Sequence, residues 1–273
     1  MARNDVGHSV IGPYRLLAKI GEGSLAWTYR GEHIELGAPV CIKICRTLDP
    51  EDHEVLRHEA LAMWGLSHPA VPTIHDFIRT PDGNVALVMK YIPGLNLEQY
   101  VDAHGPMDSR QVAWIADRAL NCLFYMHMSG EVIHGDIKPR NVMVMKGRHT
   151  IVLVDYGLAV IKPRPGERAQ GFTELYSPPE QLAGEEAVAE SDLFSLGLTL
   201  IYALSGDEKR VRRREIPPGT PAPFAKFITR LVADRPSDRP PIWKKENLCW
   251  TIERVRRDSF GDRYNDIPPF EVD

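Results

Sequence analysis

The sequence predicts an α+β protein of two lobes, a small β-rich lobe with one main helix and a larger lobe that is mainly helical. Three observations carry this. Residues 14–90 hold five runs rich in β-branched and aromatic residues, punctuated by Gly, Pro and Asp, around a single charged helical segment. After Pro93-Gly94 the apolar residues recur at helical spacing instead. The chain has 273 residues, 43 % of them hydrophobic, which suffices for two lobes with cores of their own. The boundaries read as an N-terminal tail 1–13, an N-lobe 14–90, a hinge 91–94, a C-lobe 95–257 and a C-terminal tail 258–273.

In the N-lobe, YRLLAKI (14–20), WTYRGEH (27–33) and APVCIKIC (38–45) read as an antiparallel meander. The segment EDHEVLRHEALAMWGL (51–66) reads as the helix, with Pro50 just before its first turn. VPTIHDFIR (71–79) and NVALVMKYI (84–92) are two further strands, separated by the turn signal Pro81-Asp82-Gly83. In the C-lobe, Val112, Ile115, Ala116, Ala119, Leu120 and Leu123 predict a helix over 108–129 opened by an Asp108/Gln111 capping box. ESDLFSLGLTLIYALSG (190–206) is apolar nearly all round and predicts a buried helix capped near Ser191/Asp192 and stopped by Gly206. Two more helices are expected over 222–233 and 241–257.

The chemistry concentrates between His134 and Gly157. HGDIKPRN and DYG flank two strand-like runs, VMVM and TIVLV, joined by Lys-Gly-Arg-His, so a hairpin would hold both polar clusters at one end. That brings Asp136, Lys138, Asn141 and Asp155 together. Two carboxylates, an amide and an ammonium suit chemistry on a metal-bound polyphosphate, where positioning and charge neutralisation do most of the catalysis. Turn preference alone also places Asp, Asn, Gly and Pro at such positions. GEGSLA (21–26) is a GxGxxG-like loop followed by a strand, which argues against a dinucleotide fold and for a strand-turn-strand flap over phosphates. Lys43 lies on the strand after the flap, on the same face as Cys41, and Glu59 on the following helix could hold its ammonium toward a phosphate.

These motifs together resemble the eukaryotic-like (Hanks-type) serine/threonine protein kinases of bacterial type, over roughly residues 14–257. The resemblance implies a bilobal kinase-like fold, with ATP and Mg²⁺ as cofactors and protein substrates. It makes Asp136 the base or orienter of the substrate hydroxyl, Lys138 a neutraliser of the transferring phosphoryl group, and Thr173 the bridge between them. Asn141 and Asp155 become the metal ligands. Ile20, Gly21, Glu22, Gly23, Ser24, Lys43 and Glu59 become nucleotide-binding residues. So do Thr28, Cys41, Met89 and Met143 around adenine, and Lys90, Tyr91 and Ile92 in the hinge. YSPPEQL resembles the APE motif, with Glu180 expected to pair with Arg239, and Asp192 is expected to brace the catalytic-loop backbone.

The chain also departs from that family. Gly135 stands where many members carry Arg before the catalytic Asp, and LAVIKPRPGERAQGF (158–172) contains no Ser, Thr or Tyr. Activity is therefore expected not to require activation-loop phosphorylation. The span from Asp192 to Arg239 looks short, and DEKRVRRREIPPGTP stands where a further surface helix is expected. Its cationic run, Arg210 to Arg214 with Lys209, could meet an acidic partner, although a solvated charge run is the plainer reading. A separate regulatory protein or an opposing phosphatase is expected to supply control.

A net charge of −4 gives no reason to expect nucleic acid, and no run approaches the roughly 18 apolar residues of a membrane span. Cys41, Cys45, Cys122 and Cys249 form no CxxC pair, and the chain is expected to be cytoplasmic with reduced thiols. Two other functions fit parts of the pattern. A small-molecule kinase shares the HGD-type loop, and an ATP-binding pseudokinase would share the fold, although none of its hallmark losses is present. The polar, Pro-containing tail from Asp258 could be a tether, a brace or disordered.

Overall fold

The structure, a computed structural model, describes residues 9–145, 150–168, 171–242 and 248–272. The chain divides into two compact units, residues 1–67 with 72–92, and residues 68–71 with 93–273.

The first unit is an antiparallel sheet with one helix. Its strands are β1 (Val10–Ile11), β2 (Tyr14–Glu22), β3 (Ala26–His33), β4 (Pro39–Cys45), β5 (Ile74–Arg79) and β6 (Val85–Lys90), in the order β1-β2-β3-β4-β6-β5. Strand alternation divides the sheet into two faces. On one, Tyr14, Leu16, Val40, Ile42, Ala86 and Val88 form a buried cluster. On the other, β3–β4–β6 register sets Thr28 beside Lys43 and Leu87, and Cys41 beside Met89. Helix α1 (Pro50–Trp64) opens where Asp49 accepts from the Glu51 N–H and Pro50 fills the first position, whose amide would have no helical partner anyway.

Residues 68–71, expected to lead into a strand from 71, belong to the second unit. There the Ala70 carbonyl accepts from Leu153 N at 2.9 Å, and the His68 ring stacks on Tyr125. Strand β5 accordingly starts only at Ile74.

The second unit is mainly helical. After β7 (Leu95–Asn96) come α2 (Leu97–His104) and α3 (Ser109–Tyr125), the latter opened by the expected Asp108/Gln111 box. Helix α3 runs on as a single π-helical turn, Met126–Gly130, before the short strand β8 (Val132–Ile133). Strands β9 (Val142–Val144) and β10 (Ile151–Leu153) pair antiparallel, as the hairpin reading requires. Its expected turn, residues 146–149, lies outside the described residues. Strand β11 (Val160–Ile161) pairs with β8. Strands of two residues carry no periodicity, and β1, β7, β8 and β11 were invisible in the hydropathy pattern for that reason.

Helix α4 (Pro179–Leu182) precedes the buried helix α5 (Ala189–Ser205), which stops at Gly206 in the left-handed region as expected. The expected cap at Ser191/Asp192 is not one. Helix α5 begins two residues earlier without a side-chain cap, and both polar side chains are spent elsewhere: Ser191 Oγ donates to Glu180 Oε1 at 2.8 Å, and Asp192 accepts from the His134 and Gly135 amides.

The span expected to lack a helix contains a short one, α6 (Glu208–Arg213), followed by α7 (Ala222–Leu231). Helix α8 (Leu248–Phe260) covers the second half of the last predicted helix, and residues 243–247 of that prediction lie outside the described residues. The tail is a brace over residues 264–272. Arg256 holds Tyr264 O, Gln111 Nε2 donates to the carbonyls of Pro268 and Pro269, and Phe270 and Val272 are buried.

Candidate active site

In the second unit, Asp136 is the point on which three side chains converge. Residues 134–138 have no regular secondary structure, and Asn141 closes a 3₁₀ turn, Pro139–Asn141, after Lys138. Lys138 Nζ donates to Asp136 Oδ2 at 2.7 Å and to Thr173 Oγ1 at 3.0 Å. The Thr173 hydroxyl in turn donates a hydrogen bond to Asp136 Oδ1 at 2.7 Å. Asn141 Nδ2 donates to Asp136 Oδ2 at 3.1 Å and to the Asp136 carbonyl at 2.9 Å. The carboxylate is 8 % exposed as a residue, so it is held in place yet still open to a small donor. Hydrogen bonds in which one partner is ionised are the strong ones, and four of these five involve the Lys138 ammonium or reach the carboxylate directly.

Asp155 lies beside this cluster by chain connectivity, since Val154 N donates to the Asn141 carbonyl at 2.9 Å. Asp155 adopts φ +68°, a left-handed conformation that Asp tolerates better than most residues. Because the Asn141 amide nitrogen is committed to Asp136, its oxygen is the atom it can offer to a cation. One carboxylate and one amide oxygen form a hard-donor pair. No group of three or more His, Cys, Asp or Glu suited to a metal occurs among the described residues. Such a two-donor set fits Mg²⁺, which keeps waters and takes phosphate oxygens for its remaining positions, and does not suit an all-protein cage.

The loop is anchored from behind. Asp192 Oδ2 accepts from His134 N at 2.8 Å and from His127 Nε2 at 2.7 Å, and Oδ1 accepts from Gly135 N at 2.9 Å. Burial alone would push the Asp192 carboxyl up, but the His127 hydrogen bond and charge and the Gly135 amide outweigh it, so its pKa is lowered. His134 is fully buried against the Tyr156 ring at 4.6 Å, and desolvation holds its pKa below the usual imidazole value.

Gly135 has φ +76°, and a Cβ there would meet the Leu158 carbonyl oxygen at 2.5 Å. Its own carbonyl accepts from Gln181 Nε2 at 3.1 Å, and the same amide donates to Gly171 O at 2.6 Å. Gln181, unremarked in the sequence, thus ties the loop to the segment before Thr173. Its neighbour Glu180 in the same YSPPEQL run is the residue the motif draws attention to. Glu180 forms the expected buried pair with Arg239, bidentate at 2.6 and 2.8 Å.

In the first unit, Lys43 Nζ and Glu59 Oε1 are 2.5 Å apart, and the side chains retain only 17 % and 6 % exposure. The Gly-rich turn between β2 and β3 is closed by a Gly23 N to Ala26 O bond of 2.9 Å. Desolvation pushes the Cys41 thiol up to about 11, so it is neutral at physiological pH. Thr28, Cys41, Lys43 and Met89 share the sheet face described above. Ile20 and Ser24 are exposed, and Tyr91 lies under the Arg30 guanidinium. The Lys90 amide donates to Thr73 O at 2.8 Å, so Lys90 could offer a base only its carbonyl. Met143 lies in the second unit on β9, opposite Val152.

A model of the protein kinase domain matches residues 14–244. The chain belongs to the protein kinase family. Among curated relatives, this kinase is 30 % identical to the serine/threonine-protein kinase pkn3 of Myxococcus xanthus, with 93 % of the chain and 53 % of that protein covered. It is 30 % identical to the serine/threonine-protein kinase PrkC of Bacillus subtilis, covering 74 % of the chain and 32 % of the relative. It is 28 % identical to the serine/threonine-protein kinase PknB of Mycobacterium tuberculosis, covering 83 % and 40 %. The kinase chain thus spans about half or less of these relatives' lengths. Members of this family use ATP with Mg²⁺. No helix among the described residues is long and apolar enough to cross a membrane.

Proposed function

We propose that the chain is a serine/threonine protein kinase that transfers the γ-phosphoryl group of ATP to Ser or Thr hydroxyls of proteins. The observation that carries this reading is the Asp136 carboxylate, held at once by Lys138, Thr173 and Asn141. In this reading Asp136 orients the substrate hydroxyl and takes its proton as the oxygen bonds to the γ-phosphorus. The bond from that phosphorus to the β–γ bridging oxygen breaks, and ADP leaves with the electron pair. Lys138 offsets charge on the transferring group. In the first unit, Lys43, aligned by Glu59, is the phosphate-binding cation. Asn141 and Asp155 hold Mg²⁺, which when bound neutralises phosphate charge. In the first unit, Lys90, Tyr91 and Ile92 contact adenine through the backbone and Ile20, Thr28, Cys41 and Met89 meet its ring; in the second unit, Met143 is the adenine-contacting residue.

The reading extends to control. The absence of hydroxyl residues across 158–172 and the backbone conformation of Gly135 support a kinase that needs no activation-loop phosphate. A separate regulatory protein or opposing phosphatase then sets its output. The acidic-partner surface is smaller than the Arg210–Arg214 run implied. Arg210 pairs with Glu215, and Arg214 pairs with Asp234 and stacks on Phe194, which leaves Lys209, Arg212 and Arg213 facing solvent. The four cysteines form no disulfide, which supports the cytosol as the site of action.

The test is incubation of the chain with Mg-ATP and casein or myelin basic protein, with phosphosites mapped by mass spectrometry. Label on Ser and Thr is the expected result, and Asp136→Ala should lower turnover by about 10²- to 10⁴-fold. Label confined to small alcohols would make it a small-molecule kinase. ATP binding without any transfer would make it a pseudokinase.

A further inference from the structure

The Gly-rich turn is held from its outer side by a side chain that no motif includes. Arg46, the residue after β4, donates its backbone amide to Leu25 O at 2.8 Å and its Nη1 to Gly23 O at 3.0 Å. Its guanidinium also lies over the Trp27 ring at 5.6 Å and within 3.5 Å of Glu22 Oε1. Lys19 completes the frame, 5.8 Å over the same indole and 2.5 Å from Glu22 Oε2. The Glu22 carboxyl is held below its usual range, first by the Lys19 hydrogen bond and then by the Lys19 and Arg46 charges.

Three carbonyls of the turn are therefore spent on its own side: Gly23 and Leu25 on Arg46, and Ala26 on the Gly23 amide. The amides of Ser24 and Leu25 have no acceptor among the described residues. The Gly23 carbonyl and the Ser24 N–H belong to one planar trans peptide, in which C=O and N–H point in opposite directions. Fixing the carbonyl on Arg46 thus aims the Ser24 N–H at the opposite side of the loop. Successive amides aimed one way make an anion-binding concavity.

We propose that Arg46 is a positioning residue for ATP: by holding the Gly23 carbonyl, it presents the Ser24 amide to the triphosphate. This rests on the reading of residues 21–26 as the phosphate-binding flap. Arg46, Glu22 and Lys19 are each more than a third exposed, so an ion network alone would contribute little. The planar fork matters more, because only arginine can stack on Trp27 with its face while an edge N–H reaches the carbonyl.

Calorimetric titration of the full chain with Mg-ATP and, separately, with adenosine tests this. Arg46→Ala should weaken ATP by about three- to tenfold, the worth of one partly screened charge-assisted hydrogen bond, and leave adenosine unchanged. The KM for ATP should rise by the same factor with kcat held. Arg46→Lys keeps the charge and should remain weakened toward ATP. Equal losses for ATP and adenosine, no loss for either, or full recovery in Arg46→Lys would each overturn the proposal. A wild-type chain that binds ATP no tighter than adenosine would instead refute the flap reading beneath it.

Discussion

The hydrogen bond between Thr173 and Asp136 runs in one direction only: the threonine hydroxyl is the donor and the carboxylate the acceptor, at 2.7 Å. With Lys138 donating to the same hydroxyl, both of its roles are filled. Losing the hydroxyl should release Asp136 on one side, and Thr173→Ala is expected to reduce kcat by about ten- to a hundredfold. Thr173→Ser should keep most of it. Thr173→Glu, which replaces the donor with a second anion, should be weaker still and never activating. Initial rates on myelin basic protein rank the three variants, and an activated Thr173→Glu would contradict the proposed independence from phosphorylation.

If Asn141 and Asp155 hold Mg²⁺ as proposed, Asn141→Ala should raise the Mg²⁺ concentration needed for half-maximal activity, because one of the two proposed protein donors is gone. It should also loosen Asp136, which Asn141 grips through both its carbonyl and its carboxylate. Mg²⁺ titrations at saturating ATP separate the effects: the first moves the midpoint, and the second lowers the plateau.

The Glu180–Arg239 pair should govern part of the acid denaturation. Burial raises the Glu180 carboxyl, but the Arg239 hydrogen bond and the further bonds and charge around it prevail, so its folded pKa is lowered. A lowered carboxyl stabilises the fold fully above its unfolded value of about 4.3, and that contribution fades as pH drops through the folded value. Glu180→Gln leaves the Arg239 charge buried with no carboxylate, at a cost of about 3–5 kcal/mol near neutrality. Urea midpoints taken between pH 7 and pH 3 should show the gap between wild type and variant narrowing only below about pH 4.3.

Gly135→Ala should destabilise the kinase by more than about 1 kcal/mol, since the left-handed backbone penalises any side chain and the new Cβ would collide with Leu158 O. Gly135→Arg should do no better. A urea midpoint at or above the wild-type value for either variant would contradict this.

What could be read ahead of the structure was whatever is written in pairs of residue types. The Asp108/Gln111 cap, the Glu180/Arg239 pair and the hairpin around residues 142–153 each have a signature in spacing or motif. Side chains with two possible employers were harder. Ser191 has the chemistry of a helix cap, and only the fold shows that Glu180 engages it instead, whereas the hold of Asp192 on the 134–135 amides was expected from the resemblance. Arg210 and Arg214 sit in a charge run whose solvent exposure is the usual expectation, but Glu215 and Asp234 pair with them. Gln181 and Arg46 bind backbone carbonyls, and carbonyls leave no trace in a sequence. Gly135 was legible as a missing arginine but not as a backbone that requires glycine.

The Asp192 anchor also bears on when the loop at residues 134–138 opens. Its carboxylate sits on α5, among the most deeply buried helices of the second unit, and takes the amides of His134 and Gly135 in the interior. Those amides cannot meet solvent unless α5 itself gives way. Residues 134–135 should therefore exchange their amide hydrogens as slowly as the helix core, in one cooperative unit with it, despite having no helix or strand of their own. Native-state hydrogen exchange would then find the loop proposed to do the chemistry among the last parts of the molecule to open.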